Sequence, residues 1–578
     1  MFHLFYYFVS RTNILLPALL FLFLVSSATA QKPVKVNQIG FYPESPKVAV
    51  IPGESSGEFN IVDAATDEIV YTGRVGEPKE WPLSGETVLL ADFSDFTTPG
   101  EYYVLHPTVG ISYNFKIKEE VHRNLHKASL RAYYYNRVSI PLKKIHAGKW
   151  YRPAGHPDTV VYVHKSAATP ERPAGYVISS PKGWYDAGDF NKYIVNSGIS
   201  TYTLLAAYEH FPEYYNELYL NIPESSNQIS DILDEARWNL DWMMTMQDPN
   251  DGGVYHKLTH LEFQTIMMPH EVTADRYVVM KSTGATLNFA AVMAVAARLY
   301  RNYDPEFAQA AIEAAEYAWE WAIENPEVFY VQPPDVRTGQ YGDDDFSDEF
   351  DWAAAELYIT TGNDEYWHAR NFHDIGVGVP TWQYVRPLAW VSLLHHRDNV
   401  TDAADIDLIK QRIIDQGSEL LEEYNTSAYN ISMGLYGEED FVWGSNGMAG
   451  NHSLMLLQAY RLTNDDAYLN AAQANLDYLL GRNATGYSFV TGYGSFTPMH
   501  PHHRASAADE RNVDPIPGFV VGGPTNIQID GCTWYPSALP ALSYRDGWCS
   551  YTTNEVTINW NAPLVYIIGA IEYYRKNK

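Results

Sequence analysis

From Lys32 to about Lys118 apolar and polar residues alternate over short stretches, whereas from Glu119 onward the apolar positions recur every three or four residues. In the first part, β-rich runs at 47–51, 58–62, 68–73, 87–91, 101–106 and 112–118 are separated by Gly, Pro and Asp turns. Turn signals at that spacing across residues 31–118 predict a small all-β sandwich of immunoglobulin-like type, with no cysteine pair to staple it. In the second part, 119–578, helical spacing runs over 125–138, 200–210, 229–246, 285–300, 307–323 and 406–421. Helix ends there repeat a theme: Tyr300 before Asp304-Pro305, Tyr358 before Gly362-Asn363-Asp364, and Tyr460 before Asn464-Asp465-Asp466. The second interval is close to two units of roughly fifty residues. Helical hairpins repeated at that period bury nothing alone, so they must stack as a solenoid or close into a ring of about six. Two long Gly/Pro/aromatic segments, 145–184 and 486–550, interrupt the helices, and loops of that length are usually functional.

The first thirty residues follow neither pattern. Arg11 precedes an apolar run over 14–25, and Ala28-Thr29-Ala30 offers a small-residue cleavage site before Gln31. This reads as a secretory signal peptide over 1–30 and predicts a secreted or periplasmic mature protein. The run is short for a bilayer, and no comparable run follows, so no membrane span is expected in the mature chain. An oxidising compartment would permit one disulfide between Cys532 and Cys549; two free thiols are the alternative. The formal net charge of −30 repels phosphate backbones and anionic headgroups, which excludes nucleic acid and disfavours polyanionic substrates. Aromatic residues make up 14% of the chain, and their flat rings suit stacking on pyranose faces as well as packing.

Three segments carry candidate chemistry. Gly183-Trp184-Tyr185-Asp186-Ala187-Gly188-Asp189 sets two carboxylates three residues apart among aromatic rings. Ionised carboxylates that close repel, an arrangement suited to holding and deprotonating a water; the plainer reading is a helix N-terminus capped by Asp. Pro501-His502-His503-Arg504, after His500, groups histidines at a spacing that matches no usual zinc motif, and donors to sugar hydroxyls are the better reading. Glu555 stands at the start of an apolar terminal helix, with Trp548, Tyr551 and Trp560 close by. Apolar surroundings would raise its pKa toward that of a general acid, while a helix N-terminus would lower it.

Together these segments resemble glycoside hydrolase family 9, the cellulase family once called E. Asp186-Ala187-Gly188-Asp189 is similar to that family's catalytic-water motif, and Pro501-His502-His503-Arg504 to its histidine signature. The stretch from Tyr544 to Ala562 resembles the terminal signature, and Val36-Asn37-Gln38-Ile39-Gly40-Phe41 the start of the immunoglobulin-like module that precedes many members. The resemblance implies a mainly α chain, an (α/α)6 barrel preceded by the small sandwich. It implies Asp189 as general base, Asp186 as the group that positions water, and Glu555 as general acid. His502 and Asp546 match further signature positions, the latter in a supporting role. Arg504, His503, Trp184, Tyr185 and Tyr551 are candidate substrate contacts. The family inverts configuration, so base and acid should sit about 6.5–9.5 Å apart.

One position departs from the family: Phe496 stands two residues after Gly494, where a polar residue is usual, and it either stacks on sugar or packs. Asp348 and Glu349, near Asp343, Asp344 and Asp345, resemble a calcium-binding stretch of some members, and hard oxygen ligands suit that ion. No cofactor is expected for the chemistry itself. The implied activity is hydrolysis of β-1,4 bonds in neutral glucans of cellulose or xyloglucan type, most simply by an endoglucanase. The alternatives are an exo-acting glucosidase or glucosaminidase and an inactive carbohydrate-binding barrel.

Overall fold

Nine short strands build the N-terminal sandwich in the computed structural model, which describes residues 32–577. The signal peptide expected at 1–30 lies outside the described residues. One sheet joins β1 (Gly40–Phe41), β9 (Phe115–Ile117), β7 (Gly100–His106), β3 (Glu58–Asp63) and β4 (Ile69–Arg74), with β8 (Gly110–Ile111) beside β7. The facing sheet joins β2 (Val48–Pro52), β6 (Glu86–Asp92) and β5 (Lys79–Trp81). The expected strands fall within a residue or two of these, except that 112–118 shortens to β9, and β1, β5 and β8 are additional. Phe41, Phe59, Ile61, Phe93, Tyr102 and Phe115 fill the space between the sheets.

Strand periodicity explains how this module meets the rest of the chain. Side chains alternate between faces, so Ala49 and Ile51 of β2 and Leu89 and Ala91 of β6 enter the sandwich core. Val50 and Val88 point the other way and join the core of the helical part, together with Tyr42 and Trp81. β2 is therefore apolar on both faces, and the usual alternation is lost there. The Trp81 ring lies 4.5 Å from that of Tyr429, Tyr42 donates to Glu572 Oε1 at 2.8 Å, and Asn37 donates to Asp477 Oδ1 at 2.8 Å.

Among the described residues twelve helices form a double ring. In chain order they are α1 (Arg123–Asn136), α2 (Ile194–His210), α3 (Asp231–Thr245), α4 (Thr283–Tyr300), α5 (Pro305–Glu324) and α6 (Ser347–Thr361). The second half comprises α7 (Asp364–His368), α8 (Arg386–His396), α9 (Ile406–Thr426), α10 (Ser445–Thr463), α11 (Asp466–Leu479) and α12 (Ile558–Lys576). Each even-numbered helix touches the even helices before and after it, and α12 closes onto α2, so these six form the inner wall. The odd-numbered helices pack outside. The fold is an (α/α)6 barrel carrying an immunoglobulin-like sandwich.

Outer helices keep one polar face. α5 buries Phe307, Ala308, Ala311, Ala314, Ala315, Ala318 and Ala322 at helical spacing, and Asp304 caps it by accepting from the Phe307 amide at 3.1 Å. Inner helices are buried nearly all round, as α4 is from Thr283 to Ala297. No helix of the described residues is long and apolar enough to cross a membrane.

All six inner helices run in the same direction, so the segments that precede them gather at one end of the barrel. A five-stranded sheet lies there: β10 (Val161–Val163), β11 (Val177–Ile178), β12 (Lys192–Tyr193), β13 (Lys257–Thr259) and β14 (Tyr277–Val278). It knits the 145–184 loop to the strand that follows Asp189.

Candidate active site

Asp186 and Asp189 lie in the turn before β12 and cap nothing. α2 begins at Ile194, and its N-cap residue Tyr193 makes no side-chain capping bond. Both aspartates are buried, Asp186 at 1% and Asp189 at 5% exposure, so neither serves solubility.

Each carboxylate is held by neutral donors. Asp186 Oδ1 accepts from Asn196 Nδ2 at 2.6 Å and Oδ2 from the Tyr341 hydroxyl at 2.8 Å. Tyr341 arrives from the segment before α6 with a positive φ of 49°, a strained conformation for a tyrosine that here serves to place its hydroxyl. Asp189 Oδ2 accepts from Tyr193 at 3.0 Å and from Asn191. Asp189 Oδ1 is buried with no partner among the described residues. Burial, then the neighbouring Asp189 charge, pushes Asp186 up to about 8, against the pull of Asn196 and Tyr341.

Glu555 reaches the same place from the segment before α12. It lies between the one-turn helix Tyr551–Asn554 and α12, with extended backbone, so the helix-terminus alternative does not apply. The Gly188 amide donates to Glu555 Oε1 at 3.3 Å. Burial foremost, then the Asp189 charge, drives the Glu555 carboxyl well above the usual range, with Arg504 opposing. Gly188 makes the approach possible, because a Cβ there would sit 2.2 Å from the His502 carbonyl oxygen and 3.0 Å from Glu555 Oε1.

His502 and Arg504 line this junction. His502 Nδ1 donates to the Trp548 carbonyl at 2.7 Å, and burial pushes its pKa down, so the neutral ring keeps Nε2 as an acceptor. Its ring stacks on Trp548 at 4.3 Å, with Tyr551 edge-on at 5.9 Å. Arg504 donates to the Gly188 carbonyl at 2.8 Å and to the Gln264 carbonyl at 2.7 Å.

Several expected site residues do other work. Trp184 is fully buried and donates to Glu235 Oε1 at 2.8 Å, so it packs behind the motif and is no sugar platform. Tyr185 is equally buried, its hydroxyl paired with His156 at 2.7 Å. His503 is buried against Phe519 and paired with Ser506 at 2.9 Å; burial pushes it down to about 3, which keeps it a neutral structural ring. The Phe496 ring lies tilted 3.9 Å from that of Tyr487 and parallel to Tyr113 of the sandwich at 6.0 Å, while its amide donates to Gln38. It belongs to the contact between sandwich and barrel, so the packing alternative holds there. Asp546, expected in a supporting role, accepts from the amides of Met499 and His500, each at 2.8 Å, and thereby fixes the histidine loop.

Other groups came without a sequence signal. Asn191, Tyr193, Asn196 and Tyr341 are ordinary residues in sequence, identifiable only once the fold brings them to the aspartates. Trp443, before α10, lies 5.3 Å from Tyr551 and is 40% exposed, and Trp382, before α8, packs edge-on to Tyr341 at 5.0 Å. Cys532 and Cys549 form a disulfide within the 486–550 loop, which closes the stretch between them next to Trp548 and Tyr551.

Asp348 and Glu349 open α6, both buried. Asp348 accepts from the Val385 amide at 2.6 Å, and Asp343 from the Asp344 amide at 2.7 Å. Glu349 Oε2 and Asp343 Oδ2 are buried without partners among the described residues. Burial, then the Asp348 charge, pushes Glu349 well up. Crowded carboxyl oxygens of this kind fit a hard cation.

Comparison with known proteins agrees with this geometry. Residues 29–110 match the cellulase N-terminal ig-like domain. The chain is 42% identical over 562 residues to a xyloglucan-specific endo-beta-1,4-glucanase of Bacteroides ovatus, covering 95% of each. It is 32% identical to endoglucanase D of Acetivibrio thermocellus, over 94% of this chain and 83% of that protein. A solved family 9 structure from Bacteroides ovatus superposes with a TM-score of 0.87 at 40% identity, covering 94% of this chain and 99% of its own. Residues 122–568 match the model of glycosyl hydrolase family 9; the chain belongs to that family and is a glycoside hydrolase.

Proposed function

We propose that the chain is an exported, inverting endo-β-1,4-glucanase whose substrate is a neutral glucan of xyloglucan type. The observation that carries this is the pairing of two unlike carboxyl groups in one buried site. Asp189 has an oxygen with no protein donor, able to accept from a water. Burial and the Asp189 charge favour the protonated form of Glu555, able to give a proton away. Asp189 takes the proton from water as that water attacks the anomeric carbon, and Glu555 protonates the departing glycosidic oxygen as its bond to carbon breaks. The turn ends with Asp189 protonated and Glu555 ionised, and exchange with solvent resets both. Asp186, clamped by Asn196 and Tyr341, aims the water, and neutral His502 accepts from a sugar hydroxyl.

The likeness to a xyloglucan-specific relative supports the choice of backbone. Trp443 and Tyr551 supply stacking surface beside the acid. The sandwich over 31–118 supports the barrel by packing. Asp343, Asp348 and Glu349 hold a structural calcium ion, and the signal at 1–30 directs export.

Product profiling on xyloglucan, carboxymethylcellulose and end-labelled cellooligosaccharides tests the reading. Internal cleavage with xyloglucan preferred is expected. Release of single sugar units alone would replace the endo reading with the exo one, and binding without turnover on every substrate would replace it with a binding protein.

A further inference from the structure

Lys257, on β13, is fully buried, yet no carboxylate lies within ion-pair distance of it among the described residues. Lys192 on the paired strand shows the ordinary solution, a direct 2.8 Å bond to Asp158. A buried ammonium without such a partner is costly unless its charge is used at a distance. The Lys257 ammonium spends its three hydrogens on Gln332 Oε1 at 3.1 Å, Thr338 Oγ1 at 3.0 Å and the Gly339 carbonyl.

Two of those acceptors begin chains that end on one atom. Gln332 Nε2 donates at 2.8 Å to the Thr338 carbonyl, and the N–H of that same peptide, on Gly339, donates at 3.1 Å to the Tyr193 hydroxyl, which donates to Asp189 Oδ2. Thr338 shares a 2.7 Å bond with Thr259, whose hydroxyl reaches Asn191 Oδ1 at 3.1 Å, and Asn191 Nδ2 donates to Asp189 Oδ2. Both donors of Asp189 are thus polarised from behind by one cation, and hydrogen-bond chains in a poor dielectric strengthen one another.

We propose that Lys257 is a positioning residue that supports Asp189 as the base, its charge relayed through Gln332, the Thr338–Gly339 peptide and Tyr193, and through Thr338–Thr259–Asn191. The proposal rests on Asp189 being the base. Burial pushes the Lys257 ammonium down to about 7, opposed by the Asp189 charge, so the cation is present at mildly acidic pH. The groups facing Asp189 are Asp186, Glu555, Tyr193 and His502, and those facing Lys257 are Tyr193, Tyr330 and His256.

The test is the pH profile of kcat/KM for Lys257→Met and Lys257→Gln, with Asp189→Asn alongside. Loss of the charge should move the acid limb upward by about one pH unit, with KM at the optimum unchanged. Lys257→Gln keeps a hydrogen-bond donor without the charge, so it should shift the limb as well, and it decides the matter should the Met variant not fold. A folded Lys257→Gln with the wild-type acid limb overturns the proposal, as does a loss of kcat equal at every pH. An active Asp189→Asn would instead overturn the base assignment.

Discussion

The amide of Gly188 donates to Glu555 Oε1 at 3.3 Å, so the turn that carries both aspartates also touches the acid. Water-handling and proton-donating groups are registered through one residue, and Arg504 donates to the carbonyl of that same glycine. A methyl group at 188 would collide with the His502 carbonyl, backbone that cannot swing away. Gly188→Ala should therefore lower kcat by about 10²-fold through misplacement of about an ångström, with far-UV circular dichroism unchanged. Near wild-type kcat would show that the close approach is dispensable.

Asp186 is a site where function costs stability. Unfolded, its carboxyl ionises near the ordinary value of about 3.9; folded, it keeps its proton up to about 8. Below the lower value its contribution to stability is fully present, and as pH rises toward the upper value the contribution is lost. Asp186→Asn should thus raise Tm at pH 7 to 8, by an amount that shrinks toward pH 4, while abolishing hydrolysis. A variant less stable than wild type at neutral pH would contradict the assigned direction.

How much of this could be read from the sequence depended on where each residue's partners lie. Outer helices such as 307–323 and sandwich strands such as 101–106 have one wet face, so their periodicity predicts them. Inner helices lose that contrast: α8 and α10 are buried nearly all round, so no apolar face marks them in the sequence. Asp186, Asp189 and Glu555 were legible as a resemblance, and the fold brings all three together. Trp184, Tyr185 and His503 sit in the same motifs but face the core, a choice set by backbone direction that spacing does not reveal. Tyr341 was invisible because its chemistry is created by contact with a residue 155 positions away.

The sandwich should behave as a structural support. Trp81 is buried at 4% exposure against Tyr429 and Phe441 of the barrel side. Trp81→Ala should destabilise the chain by about 3–5 kcal/mol, measured by chemical unfolding, with KM for xyloglucan oligosaccharides unchanged. A raised KM at unchanged stability would reassign the module to substrate binding.

Calcium should raise Tm, and a chelator should lower it, without altering the pH profile of kcat. Glu349→Gln, which removes a charge from the cluster with Asp343 and Asp348, should abolish the calcium response. An unchanged wild-type Tm across calcium titration would remove the ion from the account.

The central claim is single-step inversion by Asp189 and Glu555, and the anomer first released reports it directly. Proton NMR of early hydrolysis of a β-1,4-linked oligosaccharide should show the α-anomer appearing first, with the β-anomer growing only as mutarotation proceeds. Initial accumulation of the β-anomer would mean a covalent intermediate and would contradict the roles given to all three carboxyl groups.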